Sequence, residues 1–288
     1  MKLIECPRDA MQGLHHFVPT EDKIDYLNLL LQVGFDTLDF GSFVSPKAIP
    51  QLRDTKKVIE KLELNGTSTK LLAIIANLRG AEEAVQYDLI DYLGFPFSIS
   101  ETFQQRNTRS GIEQSLVTVE NLLNLCDKHH KTAVIYLSMG FGNPYGDVWN
   151  EEIVEMQTER LVKRGVRILS LADTTGMSTP EKICRIVPRL IEKFNTAEIG
   201  LHLHSTPDTR LEKIQAAYKA GCKRFDSALK GYGGCPMATD ELTGNIATED
   251  LINFLNDKGE QLKINVEKWH DAMFFSQRIF GKLGNGKI

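Results

Sequence analysis

Residues 199–227 read IGLHLHSTPDTRLEKIQAAYKAGCKRFDS, and they hold one complete structural repeat. Ile199–His204 is a short apolar run of strand character. Asp208–Ala220 carries helical periodicity and is closed by Gly221. Arg224–Ser227 is a second short strand. Strand, helix and strand joined by brief turns make a βαβ unit, in which the two strands run parallel.

Toward the N-terminus the same alternation repeats. Strand-like runs fall at Leu3–Cys6, Thr37–Phe40, Thr69–Ala76, Leu89–Gly94, Ala133–Leu137 and Val166–Ala172. Helical patterns lie between them. They are Lys23–Val33, opened by Thr20 and closed by Gly34, then Ile49–Leu62, Ala81–Tyr87, Ile112–His129, Asn150–Arg164 and a segment opened by Ser178–Glu181. Ala247–Asp257 follows the last strand. The strands are apolar runs more than strict alternations, as in a parallel sheet covered by helices. About eight such units in a chain of 288 residues predict a closed (β/α)8 TIM barrel. A doubly wound open sheet would carry G-x-G-x-x-G after its first strand, and that motif is missing there. No linker-like stretch divides the chain, so one catalytic domain is expected over 1–288. The barrel would take about 1–260, and a C-terminal helical extension about 261–288. The apolar residues of Val266–Phe280 are expected either to pack on their own barrel or to form a homodimer contact.

Apolar residues make up 42% of the chain and charged ones 25%, which suits a soluble globular protein. A net charge of -4 gives no reason to expect nucleic acid as a partner. No apolar run reaches the roughly 20 residues of a membrane span. Five cysteines are an odd number without a compact framework, so reduced thiols and a cytoplasmic setting are expected. The first residues, MKLIECPRDAMQG, do not read as a secretory signal.

In such a barrel the chemistry sits at the C-terminal ends of the strands. Arg8 and Asp9 follow the first strand, Asp39 and Ser42 the second, and Asn77 the third. A long loop, Phe95–Gly111, carrying Glu101 and Arg106, is expected after the fourth. Asp173 follows the sixth. His202 and His204 end the seventh, and Gly231–Pro236 with Asn245 follows the eighth. Residues two apart on a strand share a face, about 6.6 Å apart. Both imidazoles could therefore reach one ion in the barrel mouth, with Asp9 and Asn245 arriving from neighbouring positions. Two nitrogens, a carboxylate and an amide oxygen suit Mg²⁺ or Mn²⁺, with Fe²⁺ or Zn²⁺ as alternatives.

These stretches together resemble the 3-hydroxy-3-methylglutaryl-CoA lyase family, within the DRE-TIM metallolyase superfamily. The resemblance rests on Pro7-Arg-Asp9 with Gln12, Gly41-Ser-Phe-Val-Ser-Pro-Lys47, Asn77-Leu-Arg-Gly80, Asp173-Thr174, His202-Leu-His204, Gly233-Gly-Cys-Pro236 and Gly244–Asp250. It implies a TIM barrel, Mg²⁺ or Mn²⁺, and an acyl-CoA substrate. It implies Asp9, His202, His204 and Asn245 as metal ligands. Arg8 would steady the enolate oxygen, His202 would take the hydroxyl proton with Asp173 nearby, and Cys235 would sit in a mobile catalytic loop. Gln12, Asp39, Ser42 and Asn77 would meet the substrate.

The sequence also departs from the family's pattern. Asp39 stands where relatives generally have Glu, and Ser205 where they usually have Asp. The Cys235–Asn245 loop is one residue longer, and Glu5 is offset by one, which on a strand reverses its facing. These changes leave open a lyase for another branched hydroxyacyl-CoA or hydroxy acid, or a Claisen-condensing acetyl-CoA synthase. A noncatalytic metal- or CoA-binding barrel would have no need of Arg8.

Overall fold

In the computed structural model, which describes residues 1–234 and 243–281, eight parallel strands close into a barrel in chain order. They are β1 (Lys2–Glu5), β2 (Thr37–Ser42), β3 (Lys70–Ile74), β4 (Ile90–Ser98), β5 (Thr132–Ser138), β6 (Ile168–Ala172), β7 (Glu198–His202) and β8 (Arg224–Ser227). β1 pairs with β2 on one side and β8 on the other, so the ring has no open edge. The helices are α1 (Pro7–Gln12), α2 (Thr20–Leu31), α3 (Thr55–Ile59), α4 (Leu78–Ala84), α5 (Glu101–Thr108) and α6 (Ile112–Lys128). They continue with α7 (Glu151–Lys163), α8 (Pro180–Lys193), α9 (Arg210–Lys219), α10 (Thr248–Asp257) and α11 (Val266–Phe280). None of these helices is long and apolar enough to cross a membrane.

Successive strand residues face opposite sides of the wall. Leu3, Leu38, Leu71, Leu93, Leu169 and Leu201 face outward and join the large apolar layer under the helices. The inside is different. Its apolar cluster is small, built on Leu72, Val134, Tyr136 and Ile168. Polar residues share that inner wall: Arg224, Asp226, Ser170 and His202 are all buried.

The expected strand and helix order holds, and the differences have local causes. The expected loop after β4 is smaller, because β4 runs through Pro96 to Ser98 and α5 follows. Proline costs that strand one donor but keeps it extended. Ser100 caps α5 by accepting from Phe103 N at 3.1 Å. Glu101 and Arg106 therefore lie on a helix. Glu101 accepts from Ile112 N at 2.9 Å, and Arg106 lies 4.7 Å from the centre of the Tyr145 ring. Thr20 is the first residue of α2 and not its cap; its hydroxyl donates to Asp54 at 2.8 Å. The expected helix over Ile49–Leu62 is broken into a 3₁₀ turn, Pro50–Leu52, and the short α3. Gly34 closes α2 with φ of +98°, where a Cβ would lie 2.3 Å from Lys263 O. The C-terminal side chains pack on their own barrel. Phe275 stacks on Tyr26 at 6.2 Å, and Trp269 meets Phe35 edge-on at the same distance.

Candidate active site

The first turn after β1 is helical, with Pro7 at its start, where proline's fixed φ is at home. That turn places Arg8 and Asp9 side by side at the barrel mouth, both buried. Arg8 reaches across to Asp39 on β2. Nε donates to the two carboxylate oxygens at 3.2 and 3.0 Å, and Nη2 donates to Oδ2 at 2.5 Å. β2 shifts register between Asp39 and Gly41. The other arm of Arg8, Nη1, donates to Asp9 at 3.0 Å and to Gln12 at 2.9 Å. Gln12 donates in turn to Asp9 Oδ1 at 2.6 Å. Gln12 and Asp39 thus hold the Arg8–Asp9 pair in place.

The two histidines do not share one barrel strand, as Ile199–His204 was expected to be. β7 ends at His202. His204–Ser205 leaves the wall and pairs antiparallel with Gly244–Asn245. In that ribbon His204 lies opposite Asn245. The imidazoles still meet, with ring centres 5.2 Å apart. Asn245 donates from Nδ2 to Asp9 Oδ2 and to Tyr232 O, each at 2.8 Å. Gly233 makes the fit possible: with φ of +101°, a Cβ there would sit 2.6 Å from Asn245 Nδ2 and 2.9 Å from Asp9 O. The ligand atoms of Asp9, His202 and His204 all lie within 4.8 Å of one another. His204 Nε2 is buried without a hydrogen-bond partner among the described residues. A buried polar atom is seldom left so, and an imidazole lone pair facing a carboxylate and a second imidazole fits a metal ion.

One expected assignment changes, and two residues appear that were not expected. The Asp173 carboxylate accepts from Ser178 Oγ at 2.5 Å and Ser178 N at 3.0 Å, and it pairs with Lys213 at 3.3 Å. It is hydrogen-bonded to the start of α8 and to Lys213, and not to His202. The partner of His202 is Asp226, directly opposite on β8, with Nδ1 to Oδ2 at 3.2 Å. Asp226 was not among the expected residues. The signal was its spacing from Arg224, which sets it on the inner face. Lys213 was missed too; its buried ammonium also donates to His204 O at 2.8 Å, bracing the ribbon from α9.

Ser42 and Asn77 lie apart from this cluster. Asn77 caps α4, accepting from Gly80 N at 3.0 Å. Both line a cavity of about 380 Å³ at the mouth, with Phe43, Arg53, Lys56 and Arg79. Ser205 points its hydroxyl at Asn245 O, 3.4 Å away. Cys235 lies outside the described residues.

Burial would raise Asp9, but Arg8 and the two imidazoles outweigh it and hold the carboxyl at about 2. Burial lifts Asp39 to about 6 against the pull of Arg8. For Arg8, two carboxylates overcome burial and raise it, so it stays a cation. Burial and the neighbouring His202 lower His204 to about 4, which leaves its ring neutral and able to ligate. His202 moves the other way: burial would lower it, but Asp226 raises it.

The HMGL-like family model matches residues 3–274. The chain belongs to the HMGL-like family. Among HMGL-like relatives it is 33% identical to a hydroxymethylglutaryl-CoA lyase of Bacillus subtilis, over 96% of this chain and 91% of that one. It is 31% identical to the human cytoplasmic 3-hydroxy-3-methylglutaryl-CoA lyase, over 100% of this chain and 77% of that one. A solved HMG-CoA lyase of Acinetobacter baumannii, in complex with coenzyme A and 3-methylmalate, superposes with a TM-score of 0.90 at 33% identity. That match covers 97% of this chain and 91% of the other. HMGL-like membership implies a divalent metal, and the Asp9–His202–His204 cluster is chemically fit to hold one.

Proposed function

We propose that this protein is a divalent-metal-dependent retro-Claisen lyase that cleaves 3-hydroxy-3-methylglutaryl-CoA to acetoacetate and acetyl-CoA. The observation that carries the reading is Arg8 fixed beside the Asp9–His202–His204 cluster, in a chain similar along its length to lyases of that name. Asp9, His204 and Asn245 would hold Mg²⁺ or Mn²⁺, with His202 at their side. When bound, such an ion would bring the substrate's oxygens together and acidify its tertiary hydroxyl.

The chain's own residues supply the rest. Nδ1 of His202 faces the Asp226 carboxylate and so carries the proton. That leaves the lone pair on Nε2, for an ion or for a proton but not for both at once. We assign it to the hydroxyl proton, with Asp226 steadying the imidazolium. Loss of that proton lets the carbon–carbon bond break, and acetoacetate leaves. The thioester enolate that remains carries negative charge on oxygen. Arg8, held rigid by Asp39, Asp9 and Gln12, is a fixed cation for it. Cys235 is the proposed source of the proton that converts the enolate to acetyl-CoA. Ser42 and Asn77, on the neighbouring cavity, would meet the acyl-CoA outside the reacting carbons.

The same reading takes 1–288 as one catalytic unit, in a reducing compartment such as the cytoplasm. Free thiols at Cys6, Cys126, Cys184 and Cys222 support that setting. A homodimer is the assembly we propose, since Phe274 on α11 stands 77% exposed. The test of the activity is direct. With 3-hydroxy-3-methylglutaryl-CoA and Mg²⁺ or Mn²⁺ the protein should release acetoacetate, and a chelator should stop it. Absence of metal-dependent acetoacetate would remove the named substrate.

A further inference from the structure

A second group of ligand atoms lies below the first. Cys6 Sγ, a ring nitrogen of His202 and an Asp226 carboxylate oxygen are within 4.8 Å of one another. All three residues are buried, at 0%, 8% and 3% exposure. His202 belongs to both groups. The lower one contains the sulfur; the upper one, Asp9 with His202 and His204, has only nitrogen and oxygen.

We propose that Cys6, His202 and Asp226 form an inhibitory site for a thiophilic divalent cation such as Zn²⁺. Three observations point the same way. First, the donor set is mixed sulfur, nitrogen and oxygen, which a borderline-soft ion prefers and Mg²⁺ does not. Second, Asp226 Oδ1 is buried without a hydrogen-bond partner among the described residues, so this carboxylate has an oxygen to offer. Third, the pocket is short of positive charge. Three carboxylates, Asp9, Asp39 and Asp226, face two guanidinium cations there, Arg8 and Arg224. The present spacing is slightly open. The ligand atoms lie within 4.8 Å of one another, and a tetrahedral shell with bonds of about 2.0–2.3 Å would draw them to about 3.3–3.8 Å.

The binding step balances simply. The Cys6 thiol gives its proton to solvent as the sulfur–metal bond forms. The imidazole hydrogen moves from Nδ1 to Nε2, so that Nδ1 can ligate. A neutral imidazole has one lone pair, and once Nδ1 uses it Nε2 has none for the upper group. The two ligand groups are therefore mutually exclusive at His202. A thiophilic ion seated below would deprive the mouth of its base.

The test uses the whole, chelator-treated protein and Co²⁺ alone, so it reads metal binding whatever reaction the mouth performs. Wild type should show a thiolate-to-cobalt charge-transfer band, release about one proton per ion, and lose the band when one equivalent of Zn²⁺ is added. Cys6→Ser should lose the band, although the four other cysteines remain. A band that persists in Cys6→Ser, or no band in wild type, overturns the proposal. Should Cys6→Ser fail to fold, Asp226→Asn keeps the thiol but should weaken Co²⁺ binding by about tenfold or more. Unchanged affinity in that variant equally overturns it.

Discussion

Glu5 and Asp9 are both fully buried carboxyl groups near the same end of the barrel, yet their proton affinities diverge. Glu5 faces outward, under α10. It accepts from Leu229 N at 2.8 Å and from Thr248 Oγ1 at 2.6 Å, with Glu249 nearby. No cation among the described residues offsets it, and burial pushes its carboxyl up to about 8. Asp9 faces the mouth and meets Arg8 and two imidazoles, which hold it at about 2. Burial alone does not set the charge of an acid; the partner it is buried with does. The outer layer of this barrel neutralises its acid by protonation. The mouth keeps Asp9 charged because a guanidinium and two imidazoles stand beside it.

The contrast can be broken from the inside first. Arg8→Ala removes the cation and should lower turnover about 100- to 1,000-fold, while metal content, read by emission spectroscopy, is largely kept. Near-normal turnover would take Arg8 out of the mechanism. His204→Ala should weaken Mn²⁺ binding by more than the roughly 10–100-fold of an outer-shell partner, as followed by the paramagnetic signal of free Mn²⁺. Asp226→Asn keeps the shape but loses the charge behind His202. Turnover should fall roughly 10–100-fold and the pH profile should shift, whereas a role in packing alone would leave the profile in place.

Glu5→Gln sharpens the outer half and should have the smallest effect. In the folded protein Glu5 titrates near 8, against an ordinary value of 4.5. Between those values the folded state holds a proton that the unfolded state has released. Wild-type stability should therefore fall as pH rises from about 5 to 8. Glu5→Gln imitates the protonated acid and should flatten that slope. Thermal melts at the two ends of the range decide it, and parallel curves for the two proteins would show Glu5 to be ionised.

The barrel and its mouth were legible because their signals are local. Apolar runs, glycine stops and strand-end polar residues mark each unit, and Arg8, Asp9, His202, His204 and Asn245 gather where strand ends meet. What escaped depends on contacts between distant segments. The ribbon joining His204–Ser205 to Gly244–Asn245 pairs two residues with two, too short for any periodicity to show. Asp226 looked like one more acid on a strand until the ring closed and set it against His202. Lys213 sits in an amphipathic helix, where a lysine reads as solvent-facing, yet its ammonium lies under the ribbon. Asp173 carried the resemblance, but Ser178 and Lys213 occupy its oxygens. The inward-facing thiol of Cys6 follows from the same alternation that turned Glu5 outward.

The two-residue ribbon also bears on how such a chain can change over time. Asn245 meets Asp9 because it is clamped opposite His204, and the clamp lies after the segment that runs from Cys235 to Thr243. Residues can be added to or lost from that segment without moving Asn245, as long as the pairing survives. The segment can therefore drift in length while the mouth keeps its geometry. A slip of one residue within the ribbon would do the reverse, turning Asn245 to the other face. The ribbon separates what is free to vary from what is not.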